Sequence, residues 1–377
     1  MKVLQIGRFY PPHIGGIEKT MQTITEKLNE KGIKCDVLCY NHKKSNSLIV
    51  ENIEKKDISY KVYRLPLSFK FSSAPISFSA LKYFKTIIKN YDILHFHHPD
   101  PWSNLILYFI KPNQKIILHW HSDIIRQKYS YIIYKPFLNW LLKRANIIIA
   151  TSPNYVESSQ ILKNYKNKCK IVPIGIRKEN IKVNYSLFYL LKKKYEGKKI
   201  IFSLGRFIYY KGFEYLIEAA RYLDSNYLIL LAGDGPKRKA YENLIRRYNL
   251  KNKVQLVGKL KDNEIGAYYK FCNLFCLPSI ERTEAFGIVM IEAMSFKKPI
   301  VSTNVKGSGV TFVNKHKYSG LVVEPRDSRK LAEAIKFLLQ NKKIYKKYSN
   351  NAYKHYLNLF TADGMVDKII DIFLGII

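Results

Sequence analysis

The sequence has few acidic residues and no long apolar run. Its 377 residues include 29 Asp and Glu against 64 Lys and Arg, which gives a formal net charge of +35. No apolar run reaches the roughly 18–20 residues that a membrane-spanning helix needs, so we expect no such helix. The first strand-like segment begins at Lys2, and we therefore expect no signal peptide before it. Together these features predict a cytoplasmic protein.

Patterns typical of disulfides and metal sites are also missing. The five cysteines, at positions 35, 39, 169, 272 and 276, are scattered along the chain. We expect them to be reduced residues of the core. The sequence has no Asp-x-Asp motif and no pair of histidines at helical His-x3-His spacing. It therefore predicts no metal site, including at the histidines of YDILHFHH and KIILHWH.

The excess of positive charge is spread over both halves of the chain, and it favours polyanionic partners. An anionic membrane surface is one such partner. The segment from Arg126 to Arg144 mixes cations with aromatic residues, which suits a bilayer interface and equally a buried helix with solvated cations. Nucleic acid is an alternative partner, but no recognition motif for it is evident, so we expect no specific nucleic-acid binding.

The order of apolar segments predicts an α/β protein with two doubly wound parallel sheets. We expect a first domain at 1–178, a Lys-rich linker at 179–199, a second domain at 200–353 and C-terminal helices at 354–377. The last helix has an apolar stripe that is typical of core packing rather than of a membrane anchor. The stripe comprises Val366, Ile369, Ile370, Phe373 and Ile377.

Two carboxylates flank a predicted helix start in the segment EAFGIVMIE. We expect Glu284 in the loop before the helix and Glu292 about two turns inside it. Eight positions make roughly 2.2 helical turns, so the two carboxylates should project in similar directions around the helix axis. Free N–H groups near Phe286 and Gly287 would form an anion site. This arrangement suits a sugar–diphosphate–ribose ligand. Two ordinary glutamates on a surface helix are the alternative.

Three earlier strand–loop–helix units of the second half carry glycine or basic residues in their loops. Arg206 and Lys211 follow the first strand, where open α/β sheets bind ligands, and both can bind phosphate oxygens. Solvated cations are the alternative in so basic a chain. Gly233 and Gly235 follow the next strand, and Gly258 follows the third. In the first half, Gly15 and Gly16 precede a helix and would allow close approach of a diphosphate, unless they form only a flexible turn.

In this order, the motifs resemble those of the family 4 retaining glycosyltransferases of GT-B fold. The resemblance spans almost the whole chain. It implies two Rossmann-like domains that face a central cleft, with the last helix returning to the first domain. The matching residues are Pro11-Pro12, Gly15-Gly16, Glu18, Gly205-Arg206, Lys211-Gly212, Gly233-Asp234-Gly235-Pro236, Gly258, Glu284-Ala285-Phe286-Gly287, Glu292-Ala293-Met294 and Lys298-Pro299 with the following Ile300-Val301-Ser302-Thr303.

The resemblance also implies a nucleotide-sugar donor and roles for individual residues. Arg206 and Lys211 would neutralise the leaving diphosphate in place of a metal, and Glu284 would hold sugar hydroxyls. Glu292 would hold the ribose. The other expected donor-binding residues are Gly15, Gly16, Gly205, Gly233, Gly235, Leu260, Asp262, Ala285, Phe286 and Gly287.

Two further residues of the first half are expected near the substrates. His121 matches the family histidine beside the donor sugar, and we interpret it as a sugar and transition-state contact. Asp123 is a candidate contact of the acceptor, and a loop or helix cap is at least as good an interpretation. No separate cofactor is expected.

Several segments resemble those of bacterial surface-polysaccharide enzymes, among them HWHSDIIRQK and SIERTEAFGIVMIEAM. The resemblance favours transfer of a hexose, and of mannose from GDP-mannose first, to a lipid-linked or soluble saccharide at the inner face of the plasma membrane. A UDP-hexose donor is the main alternative. A nucleotide-sugar epimerase or hydrolase of similar fold and an inactive scaffold subunit are more distant alternatives.

Overall fold

The computed structural model describes residues 1–13, 15–71, 74–124 and 128–376, the side chains of 128–130 excepted. The chain forms two compact units. The first comprises Met1–Gly175 and Ala362–Ile377, and the second comprises Ile176–Thr361. The predicted linker at 179–199 therefore lies inside the second unit, where part of it is helical. Asn184 begins this helix by accepting a hydrogen bond from the N–H of Leu187 through its side chain.

The first unit contains an eight-stranded sheet in the order β10-β9-β8-β7-β1-β2-β4-β3, with β3 and β4 antiparallel and the other pairs parallel. Strands β5 and β6 form a separate antiparallel pair. The strands are β1 (Lys2–Ile6), β2 (Lys34–Tyr40), β3 (Ile49–Lys55), β4 (Ile58–Leu65), β5 (Phe69–Phe71), β6 (Ala74–Ile76), β7 (Ile93–His98), β8 (Lys115–Trp120), β9 (Ile147–Ala150) and β10 (Cys169–Ile171). The helices are α1 (Gly16–Glu30), α2 (Ala80–Ile87), α3 (Pro101–Ile110), α4 (Lys128–Arg144), α5 (Pro153–Ser158) and, from the chain's end, α14 (Ala362–Leu374).

The second unit contains a six-stranded, wholly parallel sheet in the order β13-β12-β11-β14-β15-β16. Its strands are β11 (Lys199–Leu204), β12 (Tyr227–Ala232), β13 (Val254–Gly258), β14 (Leu274–Leu277), β15 (Ile300–Thr303) and β16 (Gly320–Val323). Its helices are α6 (Tyr185–Lys194), α7 (Phe213–Ala219), α8 (Arg238–Arg247), α9 (Asp262–Phe271), α10 (Ile288–Ser295), α11 (Val310–Val313), α12 (Ser328–Gln340) and α13 (Lys342–Leu359). The strand order reverses between β11 and β14, where sheets of this kind bind ligands at the carboxyl ends of the strands.

The last helix, α14, belongs to the first unit. Val366, Ile369 and Phe373 are buried in a core cluster that α14 shares with α1 and the sheet. Ion pairs join Lys27 to Asp363 and Lys31 to Asp367, both at 2.8 Å. The apolar stripe is thus a packing surface, except at Ile377, which lies outside the described residues. No helix in the described ranges is long and apolar enough to cross a membrane.

Candidate active site

The loops that follow the strands of the second unit meet at one edge of its sheet because all six strands run parallel. Two of them are joined to their neighbours by backbone hydrogen bonds, from the N–H of Gly205 to the carbonyl of Ala232 (3.0 Å) and from that of Gly233 to the carbonyl of Gly258 (2.8 Å). Gly233 has φ +135°, and a Cβ there would overlap the carbonyl oxygen of Gly205. Only glycine fits at this position, and it lets the two loops lie in contact.

A buried ion pair lies at the centre of this edge. Lys211 Nζ is 2.6 Å from Glu284 Oε2, although the two residues are far apart in the sequence, and only 12% and 10% of their side chains are exposed. Ser279 donates a hydrogen bond to the same carboxylate oxygen at 2.9 Å. Burial alone would lower the pKa of Lys211, but the Glu284 carboxylate and Tyr210 together outweigh it, so the pKa is raised and the ammonium is retained.

Arg206 adds a second positive charge to the same loop. Its side chain is exposed, and it makes no ion pair with a carboxylate in the described part of the chain. The loop thus presents one cation already compensated by Glu284 and one whose guanidinium is available to an anion. An Arg guanidinium binds phosphate oxygens in a fork that a single ammonium cannot provide.

The helix after the loop that carries Glu284 starts later than the sequence predicts. Helix α10 begins at Ile288, after Gly287 in a left-handed conformation (φ +83°). Glu292 is therefore about one turn inside the helix rather than two, and the azimuth argument that relates it to Glu284 is wrong. The helix does not extend back through Gly287, because the backbone of this residue has a left-handed conformation that other residue types rarely adopt. The N–H groups of Phe286 and Gly287 have no hydrogen-bond partner among the described residues.

The remaining predicted residues of the second unit lie on neighbouring loops. Glu292 accepts a hydrogen bond from the Tyr269 hydroxyl at 2.7 Å. Gly235, at φ +155°, leaves no space for a Cβ beside the backbone of Phe207. Leu260 is half-buried in the loop after β13, and Asp262 is the exposed first residue of α9. Ala285 accepts a backbone hydrogen bond from Gly309 at 2.8 Å, which ties the Glu284 loop to the next one.

In the first unit, the two adjacent glycines lie at the start of α1. Gly15 is extended (φ −170°) and precedes the helix, which begins at Gly16. The buried Glu18 carboxylate folds back so closely that a Cβ on Gly15 would overlap it, and it contacts His13 Nδ1 at 3.2 Å. A carboxylate therefore lies where a helix amino terminus favours negative charge.

Four histidines form a buried column, of which three lie on adjacent strands β7 and β8 and the fourth, His121, directly follows β8. His95 Nε2 lies 3.2 Å from His119 Nδ1, and His97 Nδ1 lies 2.8 Å from His121 Nε2. The rings stack between strands, with centroids of His97 and His119 5.1 Å apart. Because alternate residues of a strand point to the same face, both histidines of each pair face the same core. All four side chains are buried.

Burial keeps this column neutral. Burial lowers the pKa of His95 and His121 to about 3, and it lowers the pKa of His97 and His119 well below the ordinary range. For His95, His97 and His119, repulsion from neighbouring histidines lowers the pKa further. On the opposite face, His98 stacks on Trp120 with centroids 3.9 Å apart, and burial lowers its pKa to about 3 as well. Desolvation disfavours the imidazolium form in each case.

The column fixes which nitrogen of His121 carries the proton. The amide oxygen of Gln5 contacts His97 Nε2, and because a carbonyl oxygen can only accept, His97 Nε2 donates. Neutral His97 must then accept at Nδ1 from His121 Nε2–H. His121 Nδ1 is left without a proton and can accept a hydrogen bond from a hydroxyl group.

Nitrogen atoms of His95, His97 and His119 lie within 4.8 Å of one another, which is close enough for a shared metal ion. The sequence prediction considered helical histidine spacing and missed this arrangement, which arises from i, i+2 positions on paired strands. Each of the three rings forms a hydrogen bond to a neighbouring side chain, while His95 Nδ1 and His119 Nε2 have no hydrogen-bond partner among the described residues.

Asp123 holds a loop of the first unit in place. Its Oδ1 accepts hydrogen bonds from Trp120 Nε1 (2.9 Å) and Ser159 Oγ (3.0 Å), and its N–H donates to the Tyr155 hydroxyl (2.7 Å). These contacts give the carboxylate a structural role, and contact with an acceptor stays a prediction.

An apolar cavity of about 440 Å³ opens on the first unit between α3, α4 and the β5–β6 pair. Its mouth has exposed apolar side chains, including Phe71 (58% exposed) and Ile133 (76%), while Arg8 contributes a cation to its wall. Helix α4 lies in the predicted cationic and aromatic segment, of which Arg126 and the side chains of Lys128 and Tyr129 lie outside the described residues. Sequence periodicity could not find this cavity because its lining comes from separate segments.

Comparison with known proteins identifies the family. Residues 14–180 match the family model described as "Glycosyltransferase Family 4", and residues 192–355 match "Glycosyl transferases group 1". The chain is 31% identical to the O-antigen chain mannosyltransferase C of Escherichia coli, across 99% of this chain and 98% of the relative. It is 27% identical to the D-rhamnosyltransferase WbpZ of Pseudomonas aeruginosa, across 96% and 93%.

Solved structures share the fold at low sequence identity. The sucrose-phosphate synthase of Thermosynechococcus elongatus has a TM-score of 0.80 at 21% identity and covers 99% of this chain and 98% of its own. Anabaena HepE, solved in complex with UDP and glucose, has a TM-score of 0.77 at 18% identity and full coverage of both chains. With the two largely parallel sheets and the family matches, these similarities establish that the chain belongs to glycosyltransferase family 4 and is a glycosyltransferase of GT-B fold.

Proposed function

We propose that this enzyme transfers mannose from GDP-mannose to a lipid-linked glycan in surface-polysaccharide assembly, with retention of configuration and without a metal ion. The main observation that supports the assignment of the donor site is the buried Lys211–Glu284 ion pair beside the exposed Arg206, at the carboxyl edge of a parallel sheet. The name of the O-antigen mannosyltransferase relative, which covers the whole chain, supports the choice of sugar and pathway.

The leaving group would be stabilised by cations. As the glycosidic bond breaks, negative charge grows on the nucleoside diphosphate, and Arg206 and Lys211 would compensate it. Lys211 is held by Glu284 before the donor binds, so its ammonium needs little reorganisation. The N–H groups of Phe286 and Gly287 would add hydrogen bonds to the phosphates. The N–H groups of Gly205, Gly233 and Gly235 are hydrogen-bonded within the protein, so these glycines would instead allow the donor to approach the backbone closely.

The carboxylates would hold hydroxyl groups. Glu284 has a second oxygen besides the one that contacts Lys211 and Ser279, and we assign it to hydroxyls of the transferred sugar. We assign Glu292 to the ribose, with the Tyr269 hydroxyl orienting its carboxylate. Ala285 would present its backbone to the donor, and Leu260 and Asp262 would contact the base.

We assign three further roles to the first unit, on the family resemblance. The unprotonated Nδ1 of His121 would accept a hydrogen bond from a sugar hydroxyl, because His97 engages the other nitrogen. Gly15 and Gly16 would face the diphosphate, which requires the Glu18 carboxylate to move away. Asp123 would contact the acceptor.

The apolar cavity of the first unit supports a lipid-linked acceptor. Exposed Phe71 and Ile133 beside Arg8 would suit an isoprenoid chain whose polar end carries phosphate. Large apolar side chains at a cavity mouth are costly in water unless a partner covers them. We therefore place the enzyme in the cytoplasm, peripherally at the inner face of the plasma membrane.

A UDP-hexose donor is the second candidate. The observation in its favour is that HepE, which has the same fold over its full length, was solved with UDP and glucose.

A thermal-shift panel of nucleotides and sugar nucleotides without added metal tests the donor assignment. GDP and GDP-mannose should stabilise the protein, by about 2.7 kcal/mol at roughly 100 times the Kd. Stabilisation by UDP or UDP-hexoses alone would exclude mannose from GDP-mannose and retain the enzyme class. No response to any nucleotide would contradict the donor site itself. The Arg206→Ala variant is the matched control, and its response should be much smaller.

A further inference from the structure

A cavity of about 410 Å³ in the second unit is lined by four lysines and no carboxylate. The lysines are Lys178, Lys270, Lys297 and Lys298, and the other lining residues include Tyr185, Phe296 and Tyr353. Lys270 lies in the last turn of α9, and Lys297 and Lys298 lie between α10 and β15. The cavity is thus at the amino edge of the sheet, opposite the edge that carries Glu284.

Aromatic rings and a carbonyl take the place of acidic partners around these lysines. Lys178 Nζ lies 5.3 Å from the ring centre of Phe296 and 5.5 Å from that of Tyr353, and Lys297 Nζ lies 5.1 Å from the latter. Lys298 Nζ donates to the carbonyl of Lys270 at 3.0 Å. None of the four lysines forms an ion pair with a carboxylate anywhere in the ranges that the structure describes.

The charges of this cluster oppose one another. The pKa of Lys178 is lowered by burial and by the nearby Lys297 and Lys270, and that of Lys298 is lowered by burial and Lys270. Two other poorly exposed cations of the chain do have acidic partners, Lys211 with Glu284 and Arg64 with Glu51. An anion in the cavity would relieve the repulsion here, and several ammonium groups around one space match the charge of phosphate.

We propose that this cavity is a second anion site, separate from the donor site, that binds a phosphate group of a small molecule or of a lipid headgroup. Its four ammonium groups would neutralise a phosphate monoester or a diphosphate, and the rings of Tyr185, Phe296 and Tyr353 would cover the less polar part of the ligand. The adjoining face of α6 exposes Tyr189 and Leu190, about 60% each, which would be compatible with a bilayer nearby.

Residue-specific acylation of lysines with an amine-reactive ester, measured by mass spectrometry, tests the site directly. Inorganic pyrophosphate should slow labelling of Lys178, Lys297 and Lys298 about tenfold at roughly ten times its Kd, since protection follows occupancy. The exposed Lys343 and Lys347 of the same unit should label at an unchanged rate. In parallel samples, vesicles of phosphatidylglycerol replace pyrophosphate, with phosphatidylcholine vesicles as their control.

The outcomes separate the sources of phosphate. Protection by pyrophosphate alone supports a soluble ligand, and protection by phosphatidylglycerol alone supports a headgroup. Protection by neither would overturn the proposal and leave the lysines as caps of the α9 and α10 carboxyl ends. Equal protection by sodium chloride at matched ionic strength would overturn it too, as mere screening. In the Lys178→Ala/Lys297→Ala variant, pyrophosphate should no longer protect Lys298, while thermal stabilisation by the donor nucleotide should persist, which keeps this test independent of the donor assignment.

Discussion

Lowering the pH from about 7.5 to about 5.5 should destabilise the first unit by about 6 kcal/mol, because five buried histidines are neutral in the fold and protonated in the unfolded chain. These are His95, His97, His98, His119 and His121. Their pKa values are lowered by folding, so their contribution to stability is complete above about pH 6.5 and is lost as the pH falls through that value toward 3.

The magnitude follows from proton uptake on unfolding. Each histidine contributes about 1.4 kcal/mol of the loss, since its unfolded pKa lies about one unit above pH 5.5. Buried Asp100 acts in the opposite direction, because burial raises its pKa to about 6. It takes up a proton in the folded state and offsets about 1 kcal/mol of the loss.

Urea unfolding monitored by tryptophan fluorescence measures this effect selectively. All three tryptophans, Trp102, Trp120 and Trp140, lie in the first unit. His119→Gln should reduce the pH-dependent loss by about 1.4 kcal/mol, which is the share of one histidine. His316→Gln changes an exposed histidine of the second unit and should leave the loss unchanged. Equal free energies of unfolding at the two pH values would contradict the neutral column.

The variant Lys211→Met should lower kcat by about 10²–10³-fold while changing KM much less, because the charge that it stabilises grows toward the transition state. Glu284→Gln should lower kcat as well, since it keeps the shape of the side chain but removes the charge that positions Lys211. Each single variant leaves a buried charge without its partner, at a cost of about 3–5 kcal/mol in stability.

The double variant Lys211→Met/Glu284→Gln separates catalysis from folding. It removes both charges together, so it should be more stable than either single variant and still nearly inactive. The exposed pair Lys330–Glu333, at 3.0 Å on α12, gives a matched control, and Lys330→Met should leave kcat and stability unchanged. A rise in KM with normal kcat would show that Lys211 only binds the donor, which would refute the leaving-group role.

Much of the fold could be predicted from the sequence, because buried parallel strands appear in it as continuous apolar runs. The segments KVLQI, ILHFHH and KIILHW occupy β1, β7 and β8. The region 49–76 shows no such runs, since β3 lies at a sheet edge and alternates exposed and half-buried residues. The segment predicted to be a linker contains helix α6. This helix has one buried apolar residue, Leu191, so its sequence shows only a weak helical periodicity of apolar residues.

Only some features of the candidate active site could be predicted from the sequence. Glycines with special φ values, such as Gly233 and Gly287, leave a mark in the sequence because no other residue type replaces them easily. The Lys211–Glu284 contact leaves none, since it joins loops that only the tertiary fold brings together. The start of α10 could not be placed because Gly287 interrupts an otherwise helical spacing. The lysine cavity was hidden by the abundance of lysine throughout the chain.

The most direct test of the central claim is a transfer assay with radiolabelled GDP-mannose and a solvent extract of bacterial lipid-linked glycans, without added metal. The wild-type enzyme should move label into the lipid phase and release GDP, and the Lys211→Met/Glu284→Gln variant should do neither. Label recovered as free mannose, or transferred from UDP-hexoses but never from GDP-mannose, would contradict the proposed reaction.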